Sequence, residues 1–549
     1  MDRRKFIKKM SLAATSGLFL GGLPLTALRA NGQLQRIAAA SGDTNRVLVL
    51  IQMHGGNDGL NTIIPVNLYD EYFDLRPNIA IPDNGSRSFI EIDGTLPEEK
   101  RAAFHPDMTG IKSLYDEGKC AIVQGVAYEN LNQSHFRSRD IWFMGGEYDD
   151  YIGSGWMGRY LDTRFPGYPE SYPNSDMEDP LAIEIGRGVS LAFHRSEGIP
   201  ASLSLNNPQQ FYDLINGVGG ELPADVMDSY YGEELKWIMD METKANEYSG
   251  RLKEVYDAGE NSNVSYDNPY PNYVPGRYAN NGLADQLKLI ARLIKGGCKT
   301  KIFLARIGGF DTHANQVDSK DATVGPHAAL LFHLSAAVRA FQTDLKNLGL
   351  EDRVLTMTFS EFGRRAASND SYGTDHGTAA PMMLFGKGVK AGVIGSNPDL
   401  TDLNYGNLRM QHDYRQVFTT VLQDWMCASD QAMTNTMFDG FTDRKLDLID
   451  ESAVGLSEKS DSSALAKLKS CYPNPATDRT TFAFTLQEAG EVQLSIYDTS
   501  GKLRQVVSQD FLLAGNHELY TVLNDLERGT YIYTLQVGRE KYSKSLAVV

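Results

Sequence analysis

Residues 46–59 read RVLVLIQMHGGNDG, an apolar run that ends in a glycine-rich polar loop. A continuous run of this kind, rich in Val, Leu and Ile, is typical of a strand buried on both faces of a parallel sheet. Later segments contain similar apolar strands, each preceded by a predicted helix. Helical spacing followed by an apolar strand occurs at 106–118 and 121–126, at 283–294 and 301–307, and at 326–348 and 354–359. The pattern predicts a doubly wound, largely parallel α/β fold with helices on both faces.

The region from 149 to 275 follows a different pattern. It is rich in Tyr, Asn, Pro and Gly and has no steady apolar period. Long stretches without periodicity inside a compact domain are usually functional insertions. We therefore expect this region to consist of insertions that cover a cleft.

Polar side chains cluster in the loops that follow the predicted strands. The loops at the carboxyl ends of strands in a doubly wound sheet converge at one edge. The side chains that they bring there are Asp58, Ser134, His135, Asp311, His313, Glu361, Asp375 and His376. Because carboxylates and imidazoles bind divalent metal ions, the pattern predicts a metal site at this edge.

Several residues near these loops have simpler interpretations. Asp375 alternatively caps a turn, and the pair Gly55–Gly56 serves a tight turn because no GxGxxG pattern or following lysine accompanies it. Arg364 and Arg365 either bind an anionic substrate or face solvent. The remaining histidines are interpreted as surface or structural residues: His54, His105, His194, His327, His333, His412 and His517.

Composition limits the class of protein. A chain of 549 residues exceeds what one hydrophobic core usually organises, so a large domain and at least one smaller one are expected. The formal charge of -17 argues against a nucleic-acid binder, which needs clustered Lys and Arg. The four cysteines are far apart and form no CxxC pair, which leaves disulfide pairing open.

The amino terminus has the organisation of an export signal. A basic segment precedes an apolar stretch at 12–25, and small residues follow near a cleavage point, which predicts a signal peptide at 1–30. The pair Arg3–Arg4 within RRKFIK resembles the twin-arginine consensus. The alternative is a membrane anchor, but glycines and Pro24 break the run short of the roughly 20 apolar residues that a spanning helix needs. We therefore expect no transmembrane span in the mature form.

The carboxyl terminus forms a separate unit. Residues 449–466 have the Ser, Lys, Asp and Ala composition of a linker. From 467 to 549, short runs alternate apolar and polar residues, which predicts a small all-β sandwich. A large α/β domain at 45–448 completes the predicted organisation.

Three motifs in the last unit carry a family resemblance: YPNPATD at 472–478, SIYDTSGKL at 495–503 and RGTYIYTLQVG at 528–538. Together they resemble the type A sorting domain of the type IX secretion system. The resemblance implies passage through the periplasm and a final location at the outer cell surface or outside the cell, with the twin-arginine and type IX machineries as partners. The alternative is a generic immunoglobulin-like accessory module, which would have the same fold without a sorting function.

The large domain carries a second resemblance. HGGNDGLNTIIPV at 54–66, IGGFDTHANQ at 307–316, TFSEFGRR at 358–365 and GTDHGTAAPMMLFGKGVKAG at 373–392 resemble the domain-of-unknown-function family 1501. That family is usually placed beside the alkaline phosphatases, sulfatases and cofactor-independent phosphoglycerate mutases. The resemblance implies an alkaline phosphatase-like sheet. It also implies two metal ions about a nucleophile, as in the alkaline phosphatase superfamily.

The resemblance also implies roles for single residues. The metal ligands that it implies are Asp58, Asp311, His313, Glu361 and His376. Phe362 occupies the position of a ligating histidine and cannot bind a metal, which leaves the second metal in doubt. The spacing of Asp311 and His313 is also shorter than the family pattern.

The nucleophile segment departs further from the pattern. His135 stands where sulfatases carry the cysteine that becomes formylglycine, which excludes that chemistry. Ser134 is the better nucleophile if the loop shifts by one residue, and His135 is otherwise a nucleophile or a ligand. Arg139 is placed to stabilise the loop or an anionic oxygen.

Three functional classes follow from these observations. The first is an exported hydrolase of phosphate or sulfate esters that uses a divalent ion (Zn, Ca, Mg or Mn) and acts on an anionic small molecule or glycan. The second is a cell-surface binding or structural protein that kept the fold without turnover. The third, a phosphomutase or transferase, is disfavoured because phosphorylated metabolites are scarce outside the cell.

Overall fold

The computed structural model describes residues 45–206 apart from 170, 187, 197 and 199, residues 248–450, and most of 466–548. They fall into two compact units, whose described parts are 45–450 and 466–548. The predicted signal peptide lies outside the described residues, except for a short antiparallel pairing of Phe19–Leu20 with Leu23–Pro24. Most of the predicted linker also lies outside them.

A nine-stranded sheet forms the centre of the large unit. Its strands are β1 (Val47–His54), β5 (Cys120–Ala127), β6 (Ala182–Ile185), β7 (Ser202–Leu205), β8 (Ile302–Gly308), β9 (Val354–Phe359), β10 (Ala380–Phe385), β11 (Gly392–Ile394) and β12 (His412–Asp413). A separate three-stranded antiparallel sheet contains β2 (Ile63–Pro65), β3 (Ile90–Glu91) and β4 (Ala102–Phe104).

The sheet is parallel apart from β10. Its strand order is β11-β5-β10-β9-β1-β8-β6-β7, and β12 also pairs with β5. β1 lies between β9 and β8 with parallel pairing on both sides, whereas β10 is antiparallel to β9 and β5. The start of β10 therefore lies at the same edge as the carboxyl ends of the other strands. The predicted largely parallel α/β fold is confirmed.

Helices cover both faces of this sheet. They are α1 (Gly59–Thr62), α2 (Tyr69–Leu75), α3 (Thr109–Asp116), α4 (His135–Met144), α5 (Trp156–Arg164), α6 (Gly282–Lys295), α7 (Pro326–Asn347), α8 (Tyr414–Thr420) and α9 (Asp430–Thr436). Residues 248–258 are also helical, and a π-helical turn at Val421–Trp425 continues α8. None of the helices in the described part of the chain is long and apolar enough to cross a bilayer.

The two cores follow from the alternation of side chains along β1. Val49 and Ile51 join one buried cluster, which contains side chains of α3, α6 and α7. Leu48 and Leu50 join a second cluster, which contains side chains of α4, α5 and α8. Successive residues of a strand point to opposite faces, so one apolar run supplies both cores. This explains why residues 46–52 show no polar alternation.

The expectation for residues 149–275 needs correction. Two parallel strands of the main sheet, β6 and β7, come from this region. Their four-residue lengths are too short to show a period, and all of β6 is buried. The region therefore contributes to the sheet itself and does not consist of insertions alone.

The carboxyl-terminal unit is a β-sandwich, as predicted. One sheet contains β13 (Ala466–Leu468), β14 (Arg479–Leu486) and β17 (Gly515–Val522). The other contains β16 (Leu503–Leu512), β15 (Gly490–Asp498), β18 (Gly529–Val537) and β19 (Glu540–Val548) in that order. Phe482, Leu494 and Tyr533 are among the residues that fill the core of this unit.

The cysteines do not cross-link the chain. All four lie among the described residues and are unpaired. Burial raises the pKa of the Cys120 and Cys298 thiols, so these two side chains behave as small apolar groups in the core.

Candidate metal centre

Four side chains from three separate loops meet at one edge of the main sheet. His135 begins α4 after β5, Asp311 and His313 follow β8, and His376 precedes β10. Because β10 is antiparallel, its first residues lie at the edge where the other strands end. Ligand atoms of His135, Asp311 and His376 lie within 4.8 Å of one another.

The distances within this group match the spacing of metal ligands. The Oδ1 atom of Asp311 is 3.4 Å from Nε2 of His135, 3.2 Å from Nε2 of His313 and 3.4 Å from Nε2 of His376. Ligand atoms held about 2.0–2.1 Å from one ion in tetrahedral directions lie about 3.3–3.4 Å apart. Most of the observed separations are longer than ordinary hydrogen bonds and agree with that spacing.

Two of the rings are oriented by acceptors on the far side. Nδ1 of His376 donates to the carbonyl oxygen of Gln133 at 2.7 Å. Nδ1 of His135 faces Oε1 of Glu361 at 2.9 Å. A proton on each Nδ1 leaves the lone pair of Nε2 free, and both Nε2 atoms point toward Asp311. Acceptors of this kind fix the tautomer of metal-binding histidines.

His313 has a similar environment. Its Nδ1 lies 3.5 Å from Oδ1 of Asp375, and its Nε2 lies 2.9 Å from Nε2 of His376. Asn369 donates to the same carboxylate oxygen of Asp375 and to the backbone carbonyl of His313. Two imidazole lone pairs at 2.9 Å repel each other unless a proton or a cation lies between them. Either an N–H of one ring donates to the other ring, or a bound cation would lie between them.

Glu361 contains a buried oxygen without a partner. Its Oε1 accepts the Gly55 N–H at 2.8 Å and lies 3.3 Å from Nδ1 of His54. Among the described residues, its Oε2 and Nε2 of His135 are buried and have no hydrogen-bond partner. Burial acts to raise the pKa of the Glu361 carboxyl, but the hydrogen bond to His135 and the nearby His54 ring outweigh it and lower the pKa to about 2. An ionised, incompletely satisfied carboxylate beside free imidazole nitrogens is a chemical fit for a bound cation.

Arg364 holds Asp311 in place. Its buried guanidinium donates to Oδ1 of Asp311 at 2.8 Å and to the carbonyl oxygens of Gly56 at 2.8 Å and Phe310 at 3.0 Å. It also donates to the carbonyls of Gly55 and Thr374. These acceptors satisfy the buried guanidinium. Arg364 therefore positions Asp311 and does not face solvent.

The protonation states suit ligation. Burial acts to raise the pKa of the Asp311 carboxyl, but the bond from Arg364 outweighs it and lowers the pKa. Burial and the nearby Arg364 charge lower the pKa of His376 below its usual value. Asp311 is therefore ionised and His376 neutral at pH 7. His135 differs, because the bond to Glu361 raises its pKa and so favours a proton on Nε2, which a metal ion would have to displace.

Phe362 packs between the imidazoles. Its ring centroid is 4.8 Å from that of His135 and 4.6 Å from that of His376. The backbone of Gly56 passes against this ring with φ of 80°, and a Cβ at that position would overlap it. A glycine is required there for both reasons. Phe362 cannot bind an ion and instead restricts the rings of His135 and His376.

Three other residues that the sequence singled out, Asp58, Ser134 and Arg139, have different surroundings. The carboxylate of Asp58 is buried and bonded to Arg76 at 2.9 and 2.8 Å and to Gln316 at 2.6 Å. Ser134 is exposed at the start of α4, next to His135. Arg139 lies 3.3 Å from Asp140. Both carboxylate oxygens of Asp58 are occupied by these bonds, so Asp58 offers no free oxygen to the cluster in this structure.

Sequence reasoning missed three contributors. His54 was interpreted as structural, yet it faces Glu361. Its place at the end of β1 is the signal that could have identified it. Arg364 was left undecided between substrate and solvent. Gln133 acts through a backbone carbonyl, which no sequence pattern reveals.

Comparisons with known proteins agree with the two-unit organisation. Residues 258–453 match the family described as "Protein of unknown function (DUF1501)", and residues 470–549 match the family described as "Secretion system C-terminal sorting domain". The first match contains Asp311, His313, Glu361 and His376. No curated protein matches the chain.

Solved structures with a similar arrangement were found at low identity. A protein of the alkaline phosphatase superfamily from Vibrio parahaemolyticus is 9% identical with a TM-score of 0.31, and the match covers 84% of this chain and 82% of that one. The PsFucS1 sulfatase from Pseudoalteromonas sp. is 12% identical with a TM-score of 0.29, covering 90% and 86%. The alkaline phosphatase from the Antarctic bacterium TAB5 is 9% identical with a TM-score of 0.25, covering 63% and 93%. These likenesses carry no argument about the chemistry of this chain.

The sorting domain indicates secretion to the cell surface or outside the cell. Residues 258–453 of the exported chain match the DUF1501 family model, and residues 470–549 match that of the secretion system sorting domain.

Proposed function

We propose that this exported protein is a metal-dependent hydrolase of phosphate or sulfate esters. Asp311, His135, His313 and His376 would hold one divalent ion. The observation that carries the proposal is the convergence of three imidazole Nε2 atoms on one carboxylate oxygen at 3.2–3.4 Å. Three nitrogens and one oxygen suit Zn²⁺ or a similar transition metal better than Mg²⁺ or Ca²⁺, which prefer oxygen ligands.

The accessibility of the site supports catalysis. The side chain of Asp311 is 50% exposed and that of His313 is 46% exposed, so a substrate can approach from solvent. A divalent ion at this position would polarise an ester oxygen and stabilise negative charge as it develops. Glu361 and Arg364 would keep His135 and Asp311 in place without touching the substrate.

The choice of ester follows from the resemblance of the loops to the DUF1501 family and its superfamily. Ser134 remains the proposed nucleophile because its hydroxyl is exposed beside His135, and a water molecule is the alternative. Arg139 would stabilise the nucleophile loop. Formylglycine chemistry stays excluded because His135 occupies the cysteine position.

The proposal is tested by elemental analysis of the purified protein together with a panel that includes 4-nitrophenyl phosphate and 4-nitrophenyl sulfate. His376→Ala is expected to lower metal affinity or turnover by at least about 10-fold to 100-fold. His194→Ala removes an imidazole outside the cluster and is the control. Ser134→Ala is expected to abolish turnover with the ion retained, and full turnover in this variant would identify water as the nucleophile.

A negative result would favour the other class of function. If the wild-type protein carries no metal and hydrolyses no ester in the panel, the cell-surface binding or structural role replaces the hydrolase. The packing of Phe362 in the ligating-histidine position is compatible with that role.

We also propose that the mature form lacks the amino-terminal signal peptide and the carboxyl-terminal sorting domain, because each is a targeting signal for the export machinery. The proposed boundaries are a signal peptide at 1–30, a main domain at 45–448, a linker at 449–466 and a sorting domain at 467–549. Intact-mass measurement of the secreted protein tests this. A secreted species that begins at Met1 or retains residues 531–549 would contradict the corresponding assignment.

A further inference from the structure

Three of the proposed metal ligands belong to two loops that are far apart in the sequence. We define the first ligand loop as residues 310–316, which contain Asp311 and His313, and the second ligand loop as residues 369–376, which end at His376. Nε2 of His313 lies 2.9 Å from Nε2 of His376 across the two loops. A shift of about 1 Å between the loops would therefore disturb the site, since a looseness of that size is enough to spoil a designed one.

Backbone contacts join the two loops along their length. The N–H of Gln316 donates to the carbonyl of Tyr372 at 2.8 Å, and the N–H of Thr374 donates to that of Thr312 at 3.1 Å. The loops approach so closely that a Cβ at Gly373 would lie 2.6 Å from the carbonyl oxygen of Thr312. The first and second ligand loops therefore form one paired unit.

The side chain of Gln316 connects the same two loops. It is fully buried, and its Oε1 accepts the hydroxyls of Thr312 and Thr374, both at 2.9 Å. Thr312 is flanked by the two ligands of the first ligand loop, and Thr374 lies two residues before the ligand of the second. One oxygen atom therefore joins residues that lie next to, or two positions from, all three ligands.

The partners of this amide fix its orientation. The carboxylate of Asp58 forms an ion pair with Arg76 and can only accept hydrogen bonds. Nε2 of Gln316 must therefore face Asp58, to which it donates at 2.6 Å, and Oε1 faces the two threonine hydroxyls. The hydroxyl of Thr312 lies farther from the carbonyl oxygen of Phe310, at 3.4 Å, so Gln316 is its closer acceptor.

Contacts outside the two loops hold Gln316 itself. Its amide bonds to Asp58, and its backbone carbonyl accepts the N–H of His327 near the start of α7 at 3.1 Å. The separation of the ligand loops is therefore set when the protein folds, before an ion binds, and such preorganisation raises affinity. An amide at position 58 would still offer Nε2 an acceptor oxygen, so the loops depend on Gln316 more than on the charge of Asp58.

We propose that Gln316 is a positioning residue that holds the first and second ligand loops at the separation that one metal ion requires. It touches neither the ion nor the substrate and acts through Thr312 and Thr374. The inference assigns a role to buried polar residues of the motifs at 307–316 and 373–392 that are not proposed ligands. Its part in metal binding rests on the proposed hydrolase site, whereas its part in loop pairing does not.

The test removes one hydroxyl at a time in the full-length protein. Thr312→Val and Thr374→Val keep the shape of the side chain but lose a hydrogen bond to Gln316, so Co²⁺ affinity should fall about 2-fold to 10-fold. Thr312→Ser and Thr374→Ser keep the hydroxyl and should retain the wild-type affinity. Thr356→Val is the control, because the Thr356 hydroxyl bonds to a different buried amide, that of Gln342, at 3.1 Å. Titration followed by visible absorption gives the affinity and the spectrum of bound Co²⁺.

Gln316→Met removes both bonds and should weaken Co²⁺ affinity at least about 10-fold, as for an outer partner of a ligand. Adding Thr374→Val to this variant should cause no further loss, because the hydroxyl has already lost its acceptor. Amide hydrogen exchange in EDTA measures the pairing of the loops without metal. The N–H groups of Gln316 and Thr374 should exchange faster in both valine variants than in the wild type and in Thr356→Val.

The two measurements separate this inference from the proposed hydrolase. Unchanged exchange overturns the inference, and so does faster exchange with unchanged Co²⁺ affinity, which would show a merely structural role. If the wild type binds no metal, the hydrolase proposal fails, and exchange alone decides whether Gln316 holds the two ligand loops together.

Discussion

Asp58 and Asp311 follow strands β1 and β8 of the same sheet, yet their environments differ. The side chain of Asp58 is 1% exposed and bonded through both oxygens to Arg76. That of Asp311 is 50% exposed and has three imidazole nitrogens within 3.4 Å. The comparison teaches that a carboxylate after a strand becomes a candidate ligand only where lone pairs and open space surround it.

Each carboxylate lies beside a buried arginine, Arg76 for Asp58 and Arg364 for Asp311. Arg76 is buried and donates to Asp58, Asn61 and the carbonyl of Ala366, which ties three loops together. Burial acts to raise the pKa of Asp58, but the charge and hydrogen bond of Arg76 outweigh it and lower the pKa. We therefore interpret Asp58 as part of a structural clamp.

The largest effect is expected from Asp58→Asn. It leaves the charge of Arg76 buried without its counterion, and breaking such a pair costs about 3–5 kcal/mol. Guanidinium unfolding followed by tryptophan fluorescence measures this in the large unit alone, because all four tryptophans precede residue 449. Metal content of the folded variant should equal that of the wild type. Loss of the metal without loss of stability would reverse the assignment.

Asp311→Asn is expected to show the opposite pattern. Metal affinity should fall by more than the about 10-fold to 100-fold seen when an outer partner of a ligand is changed. The free energy of unfolding of the metal-free protein should change by no more than about 1 kcal/mol, because Asp311 is half exposed and the buried guanidinium of Arg364 keeps its bonds to four backbone carbonyls. Metal titration and unfolding in EDTA give the two quantities. A variant that binds metal normally would remove Asp311 from the ligand set.

Glu361→Gln tests the support of His135. The amide keeps the size of the side chain but removes the charge that orients the ring, so metal affinity should fall about 10-fold to 100-fold. Glu184→Gln is the matched control, since Glu184 is also a buried carboxylate but lies in β6 and accepts from the backbone N–H of Ser190. Equal affinities for the two variants would show that Glu361 does not act through His135.

Phe362→Leu should have the smallest effect. It removes ring contacts with His135 and His376 that are worth about 0.5–1.5 kcal/mol, so metal affinity should fall about 2-fold to 10-fold. Phe332→Leu removes a ring that packs on Tyr270 and His333, away from the cluster, and should leave affinity unchanged. Tighter binding by Phe362→Leu would indicate that the ring hinders the site.

The sequence predicted several strands and helices of the large unit correctly, because the apolar pattern of a long strand or helix is visible within that element alone. The strand at 354–359 and the helix beginning at Pro326 agree with the structure to within one residue. β6 and β7 were missed because four buried residues show no period. The small sheet of β2, β3 and β4 was missed for the same reason.

The candidate site was harder to predict because it depends on contacts between distant loops. Proximity to a strand end identified Asp311, His313 and His376, but the same criterion also selected Asp58. The partner that separates them, Arg76, lies in a segment without any motif. Equally, the sequence does not show that Glu361 supports His135, since 226 residues separate the two.

The most direct test of the comparison is an anomalous diffraction map of the purified protein, combined with elemental analysis of the same sample. The account predicts one divalent ion about 2.0–2.2 Å from Oδ1 of Asp311 and from the Nε2 atoms of His135, His313 and His376. No anomalous peak should lie beside Asp58. A metal-free protein, or an ion bound by Asp58, would contradict the account.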